Sequence, residues 1–481
     1  MKTALAAVAA ATAMALAGAA AQPGALDVSY RFTYDQPGSP TVAIAIAWPD
    51  PLAGPGSLVM PRAIPMGYGE QRYDAFLLDV LGFTADGKSA PLEREEGPRW
   101  RLPAGTTRVS YRVDLGALER AVTAASDQSR VREGYLGALG YSVFGYVDGH
   151  EARPARLHVE APKGWPVFST LAPVWPVRAA PVDADAPNYY ALADGQMVLG
   201  PRAEIRRVSE TPVPLYLAAY AEGPVDLDRL ERLASTAFAR VIDYFGTAPF
   251  GHYTVHQELL EPISPRHEYG MSMEHLDSST YYLAASSGLT AASPPEDDAR
   301  ILYNFAHHMA HAWVPKRAYG RGYFPFQWEL APVIDSIWFA EGFGQYAAIM
   351  ALAPGTPDPT AFREGILNRR FRSNFASAPA FLKRLPLVEL SRVASTRYAE
   401  DFRTGRLVFS RGGLMAAALD DRIRAETKGA SSLRDALRYM VGWVARERRG
   451  FEDADELASV FRQATGVDTR TVIEEWLRPM P

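Results

Sequence analysis

The run S-P-P-E-D-D-A-R-I-L-Y-N-F-A-H-H-M-A-H-A-W-V-P, residues 293–315, decides how the rest of the chain is read. It predicts a helix, with Ser293 as N-cap, Pro294 at the first helical position and Glu296 closing a capping box. Glu296, Asp297 and Asp298 fall in the first turn, where the helix dipole favours negative charge. Pro315 ends the pattern, because proline inside a helix removes a hydrogen bond and clashes with the preceding turn. His307 and His311 stand four residues apart, so both imidazoles project from one face. That is the spacing by which H-E-x-x-H helices hold zinc, with the glutamate as general base.

In this chain the glutamate slot holds His308, giving H-H-M-A-H. A third ligand must come from elsewhere, and W-F-A-E-G-F (338–343) offers Glu341. Glu341 lies in an apolar, helix-like run from Ile334 to Leu352, where a buried carboxylate needs a partner. Two histidines and a glutamate form a catalytic zinc set, so one Zn2+ is the expected cofactor. His308 has two further readings, a fourth ligand or a weak base. Adjacent helical residues project about 100° apart, which makes joint ligation with His307 awkward.

The 481 residues give room for two or three domains. Hydrophobic residues make up 48% and charged ones 22%, a globular composition with ample core. A net charge of −5 and no dominant basic block argue against nucleic acid as a partner. Met1 to Ala21 reads as a secretory signal: Lys2, an alanine-rich apolar stretch through Leu16, and Ala19-Ala20-Ala21 as cleavage site. No other run is long and apolar enough to cross a bilayer. The chain is therefore expected to be exported, periplasmic or secreted, with no membrane span after cleavage. Cysteine is absent, which suits a bacterial periplasm and leaves stability to the core.

From residue 22 to 222 the pattern is β, with runs such as Val28 to Tyr34, Thr41 to Trp48, Arg108 to Val113 and Leu157 to Ala161 between turn-forming clusters. This predicts an antiparallel sandwich or saddle without a catalytic constellation. Residues 223–355 mix helix and strand: Val225 to Tyr244 is helical, Tyr253 to Leu260 a strand, and Tyr269 to Leu283 carries Glu274 beside His275. An aromatic loop, Tyr319 to Trp328, joins the two helices that carry the ligand candidates. Residues 356–481 read as helical, with Arg363 to Ala376, Leu407 to Thr427, Leu433 to Arg446, Ala454 to Thr465 and Thr471 to Leu477. The fold class is α+β.

Four blocks now carry a family likeness: M-S-M-E-H-L-D-S (271–278), A-H-H-M-A-H-A-W-V-P-K-R (306–317), W-F-A-E-G-F (338–343) and F-S-R-G-G-L (409–414). With them the chain resembles the glycyl aminopeptidase family of gluzincin zinc peptidases. The resemblance implies an N-terminal β domain, a thermolysin-like catalytic domain and a C-terminal helical domain over the cleft. It implies zinc ligands at His307, His311 and Glu341, and a substrate amine held by Glu274. His275 beside it has two readings, a substrate contact or a hydrogen-bonded structural histidine. The family often carries a C-terminal PDZ domain, and none is expected in this chain.

The chain departs from that pattern at the general-base position, His308, at the oxyanion tyrosine, which falls at Phe409, and at Met271 and Ser272 where glycines precede the exopeptidase glutamate. Hydrolysis at zinc needs a base that takes a proton from the attacking water and returns it to the leaving amine. Losing such a base costs roughly 10²–10⁴ in rate, and losing one oxyanion donor about 10²–10³. The first expectation is an exported zinc-binding protein with little or no peptidase turnover and a peptide or protein ligand. The second is an active zinc aminopeptidase releasing small residues (Gly/Ala) with His308 or another group as base. The third is a metal-free scaffold whose histidines are packing residues.

Overall fold

Alternating burial along V-S-Y-R-F-T and T-V-A-I-A-I-A makes Val28–Thr33 and Thr41–Ala47 strands that bury one face. In this computed structural model the described residues are 28–123, 128–398 and 400–480, so the expected signal segment, 1–21, lies outside them. The two strands sit in a seven-stranded sheet that runs, edge to edge, Val182–Ala186, Ala155–Glu160, Val28–Thr33, Thr41–Ala47, Thr106–Asp114, Leu77–Thr84 and Ser89–Pro91. Val28–Thr33 pairs with Ala155–Glu160 in parallel, so the sheet is mixed where a purely antiparallel one was expected. The cause is sequence distance: a long excursion separates the two strands, and nothing forces a hairpin on them. A second sheet of five strands and a small one of three complete this half.

The next sheet does not respect the expected boundary at residue 222. Glu204–Ser209 and Leu215–Ala221 join Tyr253–Leu260, Ser278–Ala284 and Gly270–Glu274 in one five-stranded sheet. Its three inner strands are parallel and its two edges antiparallel. Tyr253–Leu260 is buried along its whole length, which forces its polar residues to find partners. Glu258 takes Arg130 at 3.0 Å and the Tyr135 hydroxyl at 2.7 Å, both from the preceding half. That buried network ties the β half to the sheet beneath the site.

Helices cover the rest. Leu227–Phe245 is capped by Asp226, whose carboxylate accepts from the Arg229 amide. The histidine helix runs Pro295–Ala310, one residue later than expected, with Pro294 as N-cap. Ser293 does not cap it, because its hydroxyl accepts from the Thr290 amide instead. The helix stops at His311, before Pro315, and passes through turns. The glutamate helix is Ile337–Leu352, and the long helix Phe402–Thr427 lies against it. Gly412 permits that approach, since a Cβ there would stand 2.0 Å from the Trp338 carbonyl oxygen. The segment expected as one helix from Arg363 is helical through a wider turn at Leu367–Arg372, and Leu387–Arg397 is a helix the periodicity did not announce. One continuous apolar core runs from the seven-stranded sheet to the last helices. Among the described residues no helix is long and apolar enough to cross a membrane.

Candidate metal centre

The four-residue spacing does bring the two imidazoles together: His307 Nε2 and His311 Nε2 lie 2.7 Å apart. The glutamate helix crosses this face and places Glu341 Oε2 at 3.6 Å from each nitrogen. The three donor atoms fall within 4.8 Å of one another, and all three residues are buried. His311 Nδ1 faces the Val314 carbonyl oxygen at 2.7 Å, which only accepts, so Nδ1 carries a proton and Nε2 is the donor atom turned to the cluster. Two imidazole nitrogens and a carboxylate oxygen, dry and convergent, fit a zinc ion.

The cluster's electrostatics follow from burial and crowding. Burial and the neighbouring His311 push the His307 imidazole down to about 4. Burial works against a charged His311 too, but Glu274 and Glu341 outweigh it and hold that imidazole up at about 9. Burial would raise the Glu341 carboxyl, yet His311 and the hydrogen bonds of both histidines hold it well below the usual range.

His308 stands outside this convergence. Its Nδ1 donates to the Asn304 carbonyl at 2.9 Å and its ring edge meets Tyr281, 5.3 Å between centroids. Burial first, then His307 and His311, push its basicity well below an ordinary imidazole. It is not among the atoms that converge as a metal cluster, so the fourth-ligand reading finds no geometric support. Phe409 is half-buried, its ring stacked on Tyr398 at 5.6 Å and facing Tyr68 at 6.4 Å.

Glu274 lies at the end of its edge strand, buried, with Oε1 lacking a hydrogen-bond partner among the described residues. Burial raises its carboxyl to about 7, with His311 opposing the rise and Glu341 adding to it. His275 is held on both sides, as its structural reading requires: Nδ1 faces Asp194 at 3.1 Å and Nε2 faces Thr280 Oγ1 at 3.2 Å. Asp194 also accepts from the Leu276 amide at 2.6 Å and lies 3.7 Å from Lys316 Nζ. Lys316 is thus buried. Asp335 pairs with Arg321 and Arg392, and Glu329 with Arg99.

Two site residues were missed. The Tyr68 hydroxyl, from the β half, donates to Glu341 Oε1 at 3.1 Å and lies 3.1 Å from the Tyr323 hydroxyl. Tyr323 lies in the aromatic loop expected to join the two helices, and Tyr68 in the half expected to carry no catalytic constellation. The only local signal was the turn-forming run P-M-G-Y-G (65–69), which marks a bend and not a destination.

Comparison with known proteins agrees with this arrangement. Residues 29–200 match the Peptidase M61 N-terminal domain. Among curated proteins, none matches the chain. The fold is similar to that of an aminopeptidase N family protein from Idiomarina loihiensis, with TM-score 0.80 and 19% identity over 94% of this chain and 76% of that one. It is also similar to an M1 zinc metallopeptidase from Deinococcus radiodurans, with TM-score 0.54 and 14% identity over 95% of this chain and 96% of that one. A mutant of the latter enzyme bound to a Tyr-Ser-Ala substrate aligns at TM-score 0.53 and 15% identity, over 95% and 96% of the two chains. The chain thus carries an M61-type N-terminal domain and the mixed α+β fold of the aminopeptidase N and M1 zinc metallopeptidase structures, with a buried cluster at His307, His311 and Glu341 whose donor atoms could hold a metal ion.

Proposed function

We propose that this is an exported, zinc-binding protein of the glycyl aminopeptidase type that holds peptide or protein N-termini and hydrolyses them slowly or not at all. One observation carries the reading: the side chain in the base position, His308, is buried, tied through Nδ1 to Asn304, and depressed in basicity, while the ligand set beside it is whole. A bound zinc would supply Lewis acidity toward a substrate carbonyl. The chain's own groups must then move the protons, and a strongly depressed imidazole is a poor base for that work. Phe409, at the position the resemblance gives to an oxyanion-stabilising tyrosine, has a ring without a hydroxyl. Glu274, buried with an unpartnered oxygen, offers a carboxylate to a peptide's free α-amine.

The test is zinc content and hydrolysis of glycyl- and alanyl-anilides on one purified sample, with tripeptide binding measured beside it. Stoichiometric zinc, negligible hydrolysis, and weaker binding of the N-acetylated tripeptide than of the free one are expected. Robust, chelator-sensitive hydrolysis would defeat the reading.

A second reading, an active aminopeptidase, is favoured by Tyr68, whose ring faces Phe409 at 6.4 Å and whose hydroxyl meets that of Tyr323 at 3.1 Å. It predicts a bell-shaped rate profile whose pKa values move on His308→Gln.

A further inference from the structure

Glu341 has two oxygens with separate duties. Oε2 points at both histidine nitrogens, while Oε1 receives the proton of the Tyr68 hydroxyl at 3.1 Å. From this division we propose that Tyr68, a residue of the β half, is a positioning residue of the metal centre: it fixes the rotation of the Glu341 carboxylate so that one oxygen alone faces the cation. The inference rests on the reading that His307, His311 and Glu341 hold zinc.

The chain around Tyr68 is built to deliver that hydroxyl. Met66 and Tyr68 both adopt the left-handed region, φ 69° and 46°, which non-glycine residues enter only when their surroundings impose it. Gly67 between them has no alternative, since a Cβ there would lie 2.1 Å from Ile64 Cγ1. Arg62 braces the loop through a bidentate pair with the buried Asp74, at 2.9 and 2.8 Å. The Arg62 and Ala63 amides both donate to the Trp328 carbonyl, at 2.7 and 2.9 Å. Trp328 belongs to the aromatic loop that also supplies Tyr323, so one loop holds the strand of chain before Tyr68 and caps its hydroxyl. Because the Tyr68 proton goes to a carboxylate, Tyr323 is the donor in the 3.1 Å contact between the two hydroxyls. Met66 Sδ, at 3.3 Å from the Tyr68 oxygen, is the weaker competing acceptor.

A ligand carboxylate freed from such a partner can rotate or bind through both oxygens, and loss of a partner of this kind costs roughly 10–100-fold in metal affinity. The experiment compares zinc affinity, by competition with a chelator, for the full chain and for Tyr68→Phe, which keeps the ring and removes only the hydroxyl. Cobalt-substituted protein gives an independent readout, its visible absorption reporting ligand geometry. Tyr68→Phe is expected to lose about 10–100-fold in zinc affinity and to shift the cobalt bands. Tyr323→Phe, one hydroxyl further out, is expected to lose less. Tyr398→Phe removes a hydroxyl from the same aromatic group without a hydrogen bond to Glu341 among the described residues, and is expected to bind like the parent. Unchanged affinity and unchanged cobalt bands in Tyr68→Phe would overturn the inference, as would equal losses in Tyr68→Phe and Tyr398→Phe. Failure of the parent chain to take up zinc would overturn the metal reading beneath it. Should Tyr68→Phe not fold, Tyr323→Phe decides alone, by any shift of the cobalt bands against none.

Discussion

The ligand cluster and the two positions beside it offer different things to a reaction, although the His307 and His308 rings lie only 4.7 Å apart. His307, His311 and Glu341 bring two imidazoles and a carboxylate, from one helix end and the helix that crosses it, to a shared point. His308 and Phe409 present a nitrogen of depressed basicity and a bare ring. Holding a cation needs donors and geometry; hydrolysis also needs groups that take and return protons. The proposed function is that this molecule meets the first requirement and not the second.

The strongest way to break that contrast is to refill both positions. His308→Glu with Phe409→Tyr is expected to raise chelator-sensitive hydrolysis of alanyl-anilides by about 10²–10⁴ through the base alone. An unchanged rate would mean that these positions are not what limits turnover. The opposite attack is on the ligands. Glu341→Gln removes the charge at the shared point and is expected to weaken zinc by more than the roughly 10–100-fold that loss of an outer partner costs. Zinc retained through dialysis in that variant would remove Glu341 from the ligand set.

A region outside the site sharpens the comparison. Glu258→Gln leaves the buried Arg130 without its carboxylate at 3.0 Å, and is expected to lower unfolding free energy by about 3–5 kcal/mol in urea titrations. The folded variant should still bind zinc as the parent does, since neither residue touches the cluster.

The most gradual effect, small at each step, is set by pH. Burial holds His252 at about 4 and His256 at about 3, against an ordinary value of 6.5. The unfolded chain therefore takes up protons first as pH falls below 6.5, and the folded protein loses stability down to about 4 for His252 and about 3 for His256. Each contributes roughly 1 kcal/mol of loss per pH unit within its window, measurable by urea titration at several pH values. His256→Gln should flatten the slope; an unaltered slope would show that His256 is not the group responsible.

Local rules read the helices well. Spacing alone found the His307–His311 face, and an acid stranded in an apolar run pointed to Glu341. The same rules misplaced the helix start by one residue, because two consecutive prolines and a serine compete for the cap and Ser293 was already engaged by Thr290. They were silent on the sheet that crosses residue 222, since parallel pairing joins strands far apart in sequence. They also could not find Tyr68, whose partner Glu341 is 273 residues away and whose approach depends on a left-handed turn. Identity at position 308 was legible; the Asn304 bond and the burial that weaken that imidazole were not, because both arise from packing.

The most direct test of the account is to measure zinc stoichiometry and anilide hydrolysis on the same preparation of the unaltered protein. The account predicts one zinc per chain with hydrolysis at or near the uncatalysed background. Full zinc loading together with brisk hydrolysis that a chelator abolishes would contradict it.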